Sequence, residues 1–113
     1  MSPRRGELWL VDFGDPIGRE QSGRRPALIA SADALNGGSA GVLIAVPLTT
    51  RHRDLPSHIE IDPSEESGLS EIGYAKCEDV KSISEQRLLT RLGTVAGTTM
   101  FEVARVLRFL LEL

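Results

Sequence analysis

The side chains most able to do chemistry are concentrated in residues 18–26. This stretch, Gly-Arg-Glu-Gln-Ser-Gly-Arg-Arg-Pro, holds three arginines and one carboxylate. A guanidinium is permanently charged, and its fork of N–H donors matches the oxygens of a phosphate, so the arginines indicate a phosphate-bearing partner. A solvated basic turn without a chemical role would have the same composition. The residue types alone leave both interpretations open.

This loop lies between two predicted strands, residues 7–13 and 26–30. Catalytic groups are commonly placed on loops that rigid strands hold in position. Pro26 is expected to open the second strand, because a proline cannot donate a hydrogen bond inside a ladder. Further strands are predicted over residues 41–46, 58–62, 72–80 and 91–95, and the strand over 41–46 is apolar enough to be buried on both faces. The segment that begins at Pro47 is expected to break the strand pattern.

Helices are predicted only late in the chain. Residues 84–89 suggest one or two helical turns. A final helix is predicted to begin with a capping box of Thr99 and Glu102 and to run to the chain end, with a broad apolar stripe on one side. The predicted fold is therefore mainly β with a C-terminal helix (α+β), in the form of a strongly bent sheet or a small barrel.

Length and composition restrict the class of protein. The 113 residues suit a single domain spanning residues 1–113, and 41% hydrophobic with 26% charged residues is ordinary for a globular protein. No apolar run reaches the roughly 20 residues that span a bilayer, and no signal peptide is evident, so a cytoplasmic location is expected. A single cysteine excludes an internal disulfide, and two distant histidines make a zinc site or another metal site unexpected.

The charge distribution bears on the partner. A net charge of −3 argues against a simple nucleic-acid binder, which usually carries a basic excess. The acidic groups are unevenly spread, however, because residues 54–79 contain eight of them and one lysine. This segregation permits a locally positive face elsewhere on the molecule.

Five segments resemble one family, the MazF/PemK/Kid toxins of bacterial toxin–antitoxin systems. They occur in the family's order and spacing, at residues 5–7, 20–26, 47–50, 55–60 and 86–88. The resemblance implies a small SH3-like β-barrel that forms a homodimer. It further implies an endoribonuclease that cuts single-stranded RNA without metal or cofactor and that a MazE-like antitoxin protein silences.

The resemblance also assigns roles to individual residues. Arg25 matches the family's catalytic arginine and Thr49 its catalytic threonine. Metal-free RNA cleavage needs a base for the 2′-hydroxyl, stabilisation of the charged phosphorane and an acid for the leaving oxygen. Glu20 is the best local base, although it could equally be the ion-pair partner that orients Arg25. The other predicted RNA-binding residues are Arg19, Gln21, Ser22, Arg24, Thr50, Arg51, His52, Glu78 and Asp79.

Several of these assignments have structural alternatives. His52 could contact RNA or lie in a solvated loop, whereas a structural role is expected for His58. Many relatives carry Glu-Gln or Asp-Gln where this chain has Glu78-Asp79, which removes two amide donors and adds a negative charge. Cys77 is expected to be a small buried hydrophobe on the fifth strand.

Three functions compete at this point. The leading hypothesis is a sequence-selective endoribonuclease toxin. The second is a CcdB-like toxin that binds DNA gyrase without cutting RNA, since that family shares the fold. The third is a non-catalytic regulator that retains only antitoxin binding. The presence of both Arg25 and Thr49 favours the nuclease, because a gyrase poison does not need that pair.

Overall fold

The computed structural model describes residues 2–15, 17–18 and 22–113, which form an antiparallel sheet with two helices. The strands are β1 (Glu7–Asp12), β2 (Arg24–Ile29), β3 (Val42–Thr49), β4 (His58–Ile61), β5 (Gly73–Lys76), β6 (Lys81–Ser84) and β7 (Leu88–Thr94). The helices are α1 (Asp33–Asn36) and α2 (Gly97–Leu111). Two 3-10 turns, Cys77–Asp79 and Glu85–Arg87, flank β6. A mainly β fold with a C-terminal helix is therefore confirmed.

Strand β3 lies at the centre of the sheet and extends further than the sequence predicted. The strand order is β4-β5-β3-β2-β1-β7, and β6 pairs with β3 as well. One edge of β3 pairs with β2. The other edge pairs first with β6, through Val42 to Ala45, and then with β5, through Leu48 and Thr49. On the edge that faces β5 and β6, Pro47 lies between these two pairings, while on the other edge it is the register partner of Ala27. The expectation that Pro47 ends the strand was wrong, and Thr49 consequently lies on the strand.

Pro26 also lies inside a strand rather than at its start. It is opposite Leu10 of β1, whereas the pairing of β2 with β3 begins one residue later, at Ala27. The missing N–H of Pro26 therefore removes no hydrogen bond between β2 and β3. The prediction that β3 is buried on both faces was wrong for the first half of the strand. There Val42 and Ile44 are exposed, whereas Leu43 and Ala45 are buried.

The pairings among the described strands leave the sheet open rather than closed into a barrel. No strand pairing joins β4 to β7 within the described part of the chain. The loop between β4 and β5 approaches β7 instead, and the Thr94 N–H donates to the Glu66 carbonyl at 2.8 Å. A Cβ at Gly93 would lie 2.1 Å from the same carbonyl oxygen, so only glycine permits this backbone approach. A loop thus fills the place where a barrel would have paired strands.

The apolar side chains form two clusters. The larger contains Leu8, Leu28, Val46 and Leu48 from the sheet and is covered by α2 through Val103 and Val106. Cys77 belongs to it and is fully buried, as expected, although it lies in a 3-10 turn rather than on a strand. Burial raises the pKa of its thiol to about 12. The smaller cluster contains Val11, Ala27, Ile29, Leu43, Ala45 and Ile83, with Trp9 packed against it.

Helix α2 begins two residues earlier than the predicted capping box. Ala96 is the N-cap, no side chain caps the helix, and Thr99 lies within the first turn. The Val95 N–H donates to the Gly6 carbonyl at 3.0 Å, which holds the chain against β1 immediately before the helix starts. The helix ends at Leu111, because Glu112 adopts a left-handed conformation with φ of 56°. None of the described helices is long and apolar enough to cross a membrane.

The apolar stripe of α2 is wider than the core beneath it. Val103 and Val106 are buried, whereas Phe101 is 69% exposed and Phe109 79% exposed. Leu111 and Leu113 are exposed as well. The predicted helix over residues 84–89 is reduced to the turn Glu85–Arg87, because β7 begins at Leu88 and pairs with β1.

Candidate functional site

Arg25 and Thr49 come together although 23 residues separate them in the chain. They lie on the neighbouring antiparallel strands β2 and β3, whose register places Ala27 opposite Pro47. Two residues from that pair, towards the start of β2 and the end of β3, the same antiparallel register places Arg25 opposite Thr49. Both residues line one cleft. The sheet therefore positions the two residues that the sequence predicted to be catalytic as a pair.

The hydrogen bonds of this pair leave donors available to a ligand. The Nε of Arg25 donates to the Ser22 carbonyl at 2.7 Å, which fixes the guanidinium. Its two terminal amino groups take no part in that hydrogen bond. Within the part of the chain that the structure describes, no carboxylate pairs with Arg25. Thr49 is 8% exposed, and its Oγ1 accepts the Arg51 N–H at 3.2 Å. Because Oγ1 is an acceptor in that bond, its own hydrogen can be donated elsewhere.

We call the cleft that contains this pair the main cleft; its volume is about 920 Å³. Among the described residues that line it are four basic side chains, Arg25, Arg51, Arg53 and Lys76, and two acidic ones, Glu78 and Asp79. Ser22 and Thr50 contribute hydroxyl groups, and Leu55 contributes an apolar wall. A concave site with a basic excess focuses the potential that attracts a polyanion, even on a chain that is acidic overall.

His58 and Glu78 form a pair at the edge of the main cleft. His58 Nε2 lies 2.9 Å from Glu78 Oε2, and the His58 side chain is 2% exposed. Burial by itself would raise the pKa of Glu78, but hydrogen bonds from His58, from its own backbone N–H and from Ser57 outweigh burial and hold that pKa below its usual value. An ionised carboxylate only accepts hydrogen bonds, so Nε2 carries the hydrogen that His58 donates. The expected structural role of His58 fits this geometry.

Not every predicted site residue lines the main cleft. Arg24, next to Arg25 on β2, lines a neighbouring cleft. His52 stacks on Tyr74 with ring centroids 5.1 Å apart and lies outside the described lining. Arg19, Glu20 and Gln21 lie outside the described residues.

Sequence analysis missed Lys76 as a lining residue. It ends β5 and is the register partner of His58 on β4. Its position one residue after Ala75, which is fully buried on β5, was the available signal, because neighbouring side chains on a strand point to opposite faces. Asp79, which also lines the main cleft, is ion-paired, with its Oδ1 3.7 Å from the Lys81 ammonium.

The neighbouring cleft, which we call the side cleft, has a volume of about 330 Å³. It shares Arg25, Thr49 and Thr50 with the main cleft. The remaining lining residues come from β1, β2, β3, β5, β7 and the loop before β5. The described residues contain no group of three or more histidine, cysteine, aspartate or glutamate side chains placed to hold a metal ion.

Comparison with known proteins agrees with this geometry. A family described as "PemK-like, MazF-like toxin of type II toxin-antitoxin system" matches residues 4–111. The chain belongs to this family. Endoribonuclease MazF9 of Mycobacterium tuberculosis is 30% identical and covers 97% of both chains. Endoribonuclease toxin MazF of Escherichia coli K12 is 37% identical over 83% of this chain and 80% of its own.

Solved structures of MazF proteins share the fold of this chain. MazF from Deinococcus radiodurans (Form-I) superposes with a TM-score of 0.85 at 30% identity, covering 100% of this chain and 99% of its own. A MazE–MazF structure from the same organism (Form-II) gives a TM-score of 0.78 at 28% identity, covering 100% and 98%. The family recognised from five sequence segments is confirmed.

Proposed function

We propose that this chain is the toxin of a type II toxin–antitoxin system and cleaves single-stranded RNA without a metal ion. The observation that carries the proposal is the Arg25–Thr49 pair, which is held on adjacent strands, lines a basic cleft and has donors available to a ligand. The relatives named above are endoribonucleases. We further propose that residues 1–113 act as one toxin domain.

The proposed reaction uses the RNA's own 2′-hydroxyl as the nucleophile. As the 2′-oxygen forms a bond to phosphorus, the bond from phosphorus to the 5′-oxygen breaks. The 2′-hydroxyl proton passes to a base, and a proton from water in the open cleft neutralises the leaving 5′-oxygen. The products are a 2′,3′-cyclic phosphate, which can hydrolyse to a 3′-phosphate, and a 5′-hydroxyl.

Arg25 and Thr49 stabilise the negative charge that develops on the phosphorane. The guanidinium presents parallel donors to two phosphoryl oxygens, and the Thr49 hydroxyl donates to a non-bridging oxygen. Because Arg25 is fixed by Ser22 and Thr49 by the Arg51 N–H, little reorganisation is needed during the reaction. Glu20 remains our proposed base. In the sequence it precedes Arg25 by five residues.

The other predicted RNA contacts divide between the two clefts. Ser22, Thr50 and Arg51 are proposed to bind phosphate or sugar groups in the main cleft, and Glu78 and Asp79 are proposed to contact RNA in the same cleft. Arg24 is proposed to bind the strand beside the pair. Arg19, Gln21 and His52 stay predictions of the sequence.

A gyrase poison of the CcdB type is the weaker alternative. It would have no use for paired phosphate-stabilising donors, and the relatives named above are endoribonucleases. We propose a MazE-like protein as the antitoxin partner, because a solved relative is a MazE–MazF structure. The exposed apolar end of α2, including Phe109 and Leu111, supports the proposal of a homodimer. A cytoplasmic location is proposed, since RNA is the substrate.

Incubation of the purified protein with long single-stranded RNA in excess EDTA tests the function. We expect cleavage to persist and to leave cyclic phosphate or 3′-phosphate and 5′-hydroxyl ends. The matched control is Arg25→Lys, which keeps the charge and loses the two-pronged donor geometry; we expect it to fold and to cleave slowly. A strict magnesium requirement, or 5′-phosphate ends, would contradict the proposed reaction.

A further inference from the structure

The side cleft is continuous with the proposed cleavage site. Arg25, Thr49 and Thr50 line both clefts, so the catalytic pair forms the boundary between them. A phosphate bound at that boundary would have one nucleotide on each side. The volume of the side cleft, about 330 Å³, is at the lower end of the roughly 300–1,000 Å³ typical of small-molecule sites. The cleft is thus large enough for one flat ring.

The walls of the side cleft are apolar. Leu10, Pro26 and Leu48 come from the sheet, and Leu48 is 2% exposed. Leu69 of the loop before β5 and Leu92 of β7 complete the walls. Leu69 and Leu92 both pack against the larger core cluster, which holds them in place. Such surfaces suit the face of a nucleobase, whose contact is mainly apolar.

The rim of the side cleft is charged and polar. Arg24 and Glu71 are both exposed and both line it, with Ser70 beside Glu71. A guanidinium suits the next phosphate of the strand, whereas a carboxylate repels phosphate and accepts N–H donors from a base edge. The two charges of the rim therefore match the two parts of one nucleotide.

We propose that the side cleft is a nucleobase subsite for the nucleotide next to the cleaved phosphate, and that Glu71 selects a base with an exocyclic amino group over uracil. The proposal rests on the RNA cleavage proposed above for Arg25 and Thr49. It adds a specificity-determining residue outside the main cleft, on the loop that also fills the open side of the sheet.

Cytosine and uracil provide the cleanest comparison, because their rings have the same size. Cytosine presents an amino group that donates to the Glu71 carboxylate, whereas uracil presents a carbonyl oxygen at the same position. Two acceptors facing each other are unfavourable. A glutamine in place of Glu71 can donate its amide to that carbonyl oxygen or accept from the cytosine amino group, so it tolerates both bases.

The test begins by mapping a cleavage site on a long RNA. Short RNAs with cytosine or uracil at each position flanking that site are then cleaved under single-turnover conditions. We expect the wild-type protein to prefer cytosine at one of the positions next to the cleaved bond. Glu71→Gln should reduce that cytosine-to-uracil ratio by about 5- to 100-fold, the discrimination typical of one base-edge contact. The ratios at other positions should not change.

Glu65→Gln is the matched control. Glu65 is exposed, belongs to the same loop and lies outside both clefts, so the substitution removes the same charge without touching the subsite. We expect its cytosine-to-uracil ratio to equal that of the wild type. Equal ratios for all three proteins, with cleavage intact, would overturn the subsite and leave the proposed function standing. Absence of cleavage by the wild-type protein would overturn both.

Discussion

Replacement of Thr49 by valine separates catalysis from stability, because the structure shows what else the hydroxyl does. Thr49 is 8% exposed at the end of β3, and Oγ1 has one described partner, the Arg51 N–H at 3.2 Å. Valine keeps the β-branched shape, so the strand and its packing should be retained. Loss of that acceptor should cost about 1 kcal/mol of unfolding free energy.

The catalytic cost should be much larger. If the hydroxyl stabilises the phosphorane, its loss removes one preorganised donor, which typically lowers the rate by about 10²–10³-fold, or roughly 2.7–4 kcal/mol of activation free energy. The assay is single-turnover cleavage of RNA at saturating protein, combined with urea unfolding of the same preparation. Thr49→Ser keeps the hydroxyl and is expected to retain most of the rate.

The refuting result is equally specific. A Thr49→Val protein that cleaves at about the wild-type rate would exclude the hydroxyl from the reaction. Loss of the rate in Thr49→Ser, with the rate retained in Thr49→Val, would mean that the methyl packing, rather than the donor, matters at this position.

Three further predictions follow from the site and the core. Arg25→Ala should lower cleavage by about 10²–10³-fold with an unchanged circular dichroism spectrum, and near-normal cleavage would contradict its assignment. Arg24→Glu and Arg51→Glu should each weaken binding of a non-cleavable RNA. Antitoxin should compete with that RNA, and the binding of both should weaken as the salt concentration rises. Simultaneous binding of antitoxin and RNA would contradict a shared surface. In the folded protein the pKa of the Cys77 thiol is raised to about 12 from 9.0. The unfolded chain therefore loses this proton first as the pH rises, so the free energy of unfolding should fall between pH 9 and pH 12. Urea titrations should show a smaller fall in this free energy for Cys77→Ala.

Much of the fold was predictable from local patterns. Alternating and apolar runs located β1, β2, β3 and β4, because a strand places successive side chains on opposite faces whatever its partners are. Errors arose where a distant segment decides the outcome. Pro47 has the local character of a strand breaker, yet β3 exchanges one partner strand for another at that point and continues. Thr99 suggested a cap, yet the bond from Val95 to Gly6 starts α2 earlier.

The sequence by itself determined the chemistry available to this protein. The residue types within 18–26 predicted a phosphate-handling site, and the order of five short segments predicted the family. Side-chain charge and hydrogen-bonding capacity are intrinsic to each residue, which is why the amino-acid sequence is enough to recognise them.

Only the tertiary structure decided how these groups are arranged. The register of β2 against β3 sets Arg25 beside Thr49, and the β4–β5 pairing brings His58 and Lys76 to the same cleft. The loop that packs on Gly93 leaves the sheet open and forms the side cleft with Leu69 and Glu71. Register and loop packing depend on contacts between residues far apart in the chain, and local sequence patterns do not specify such contacts.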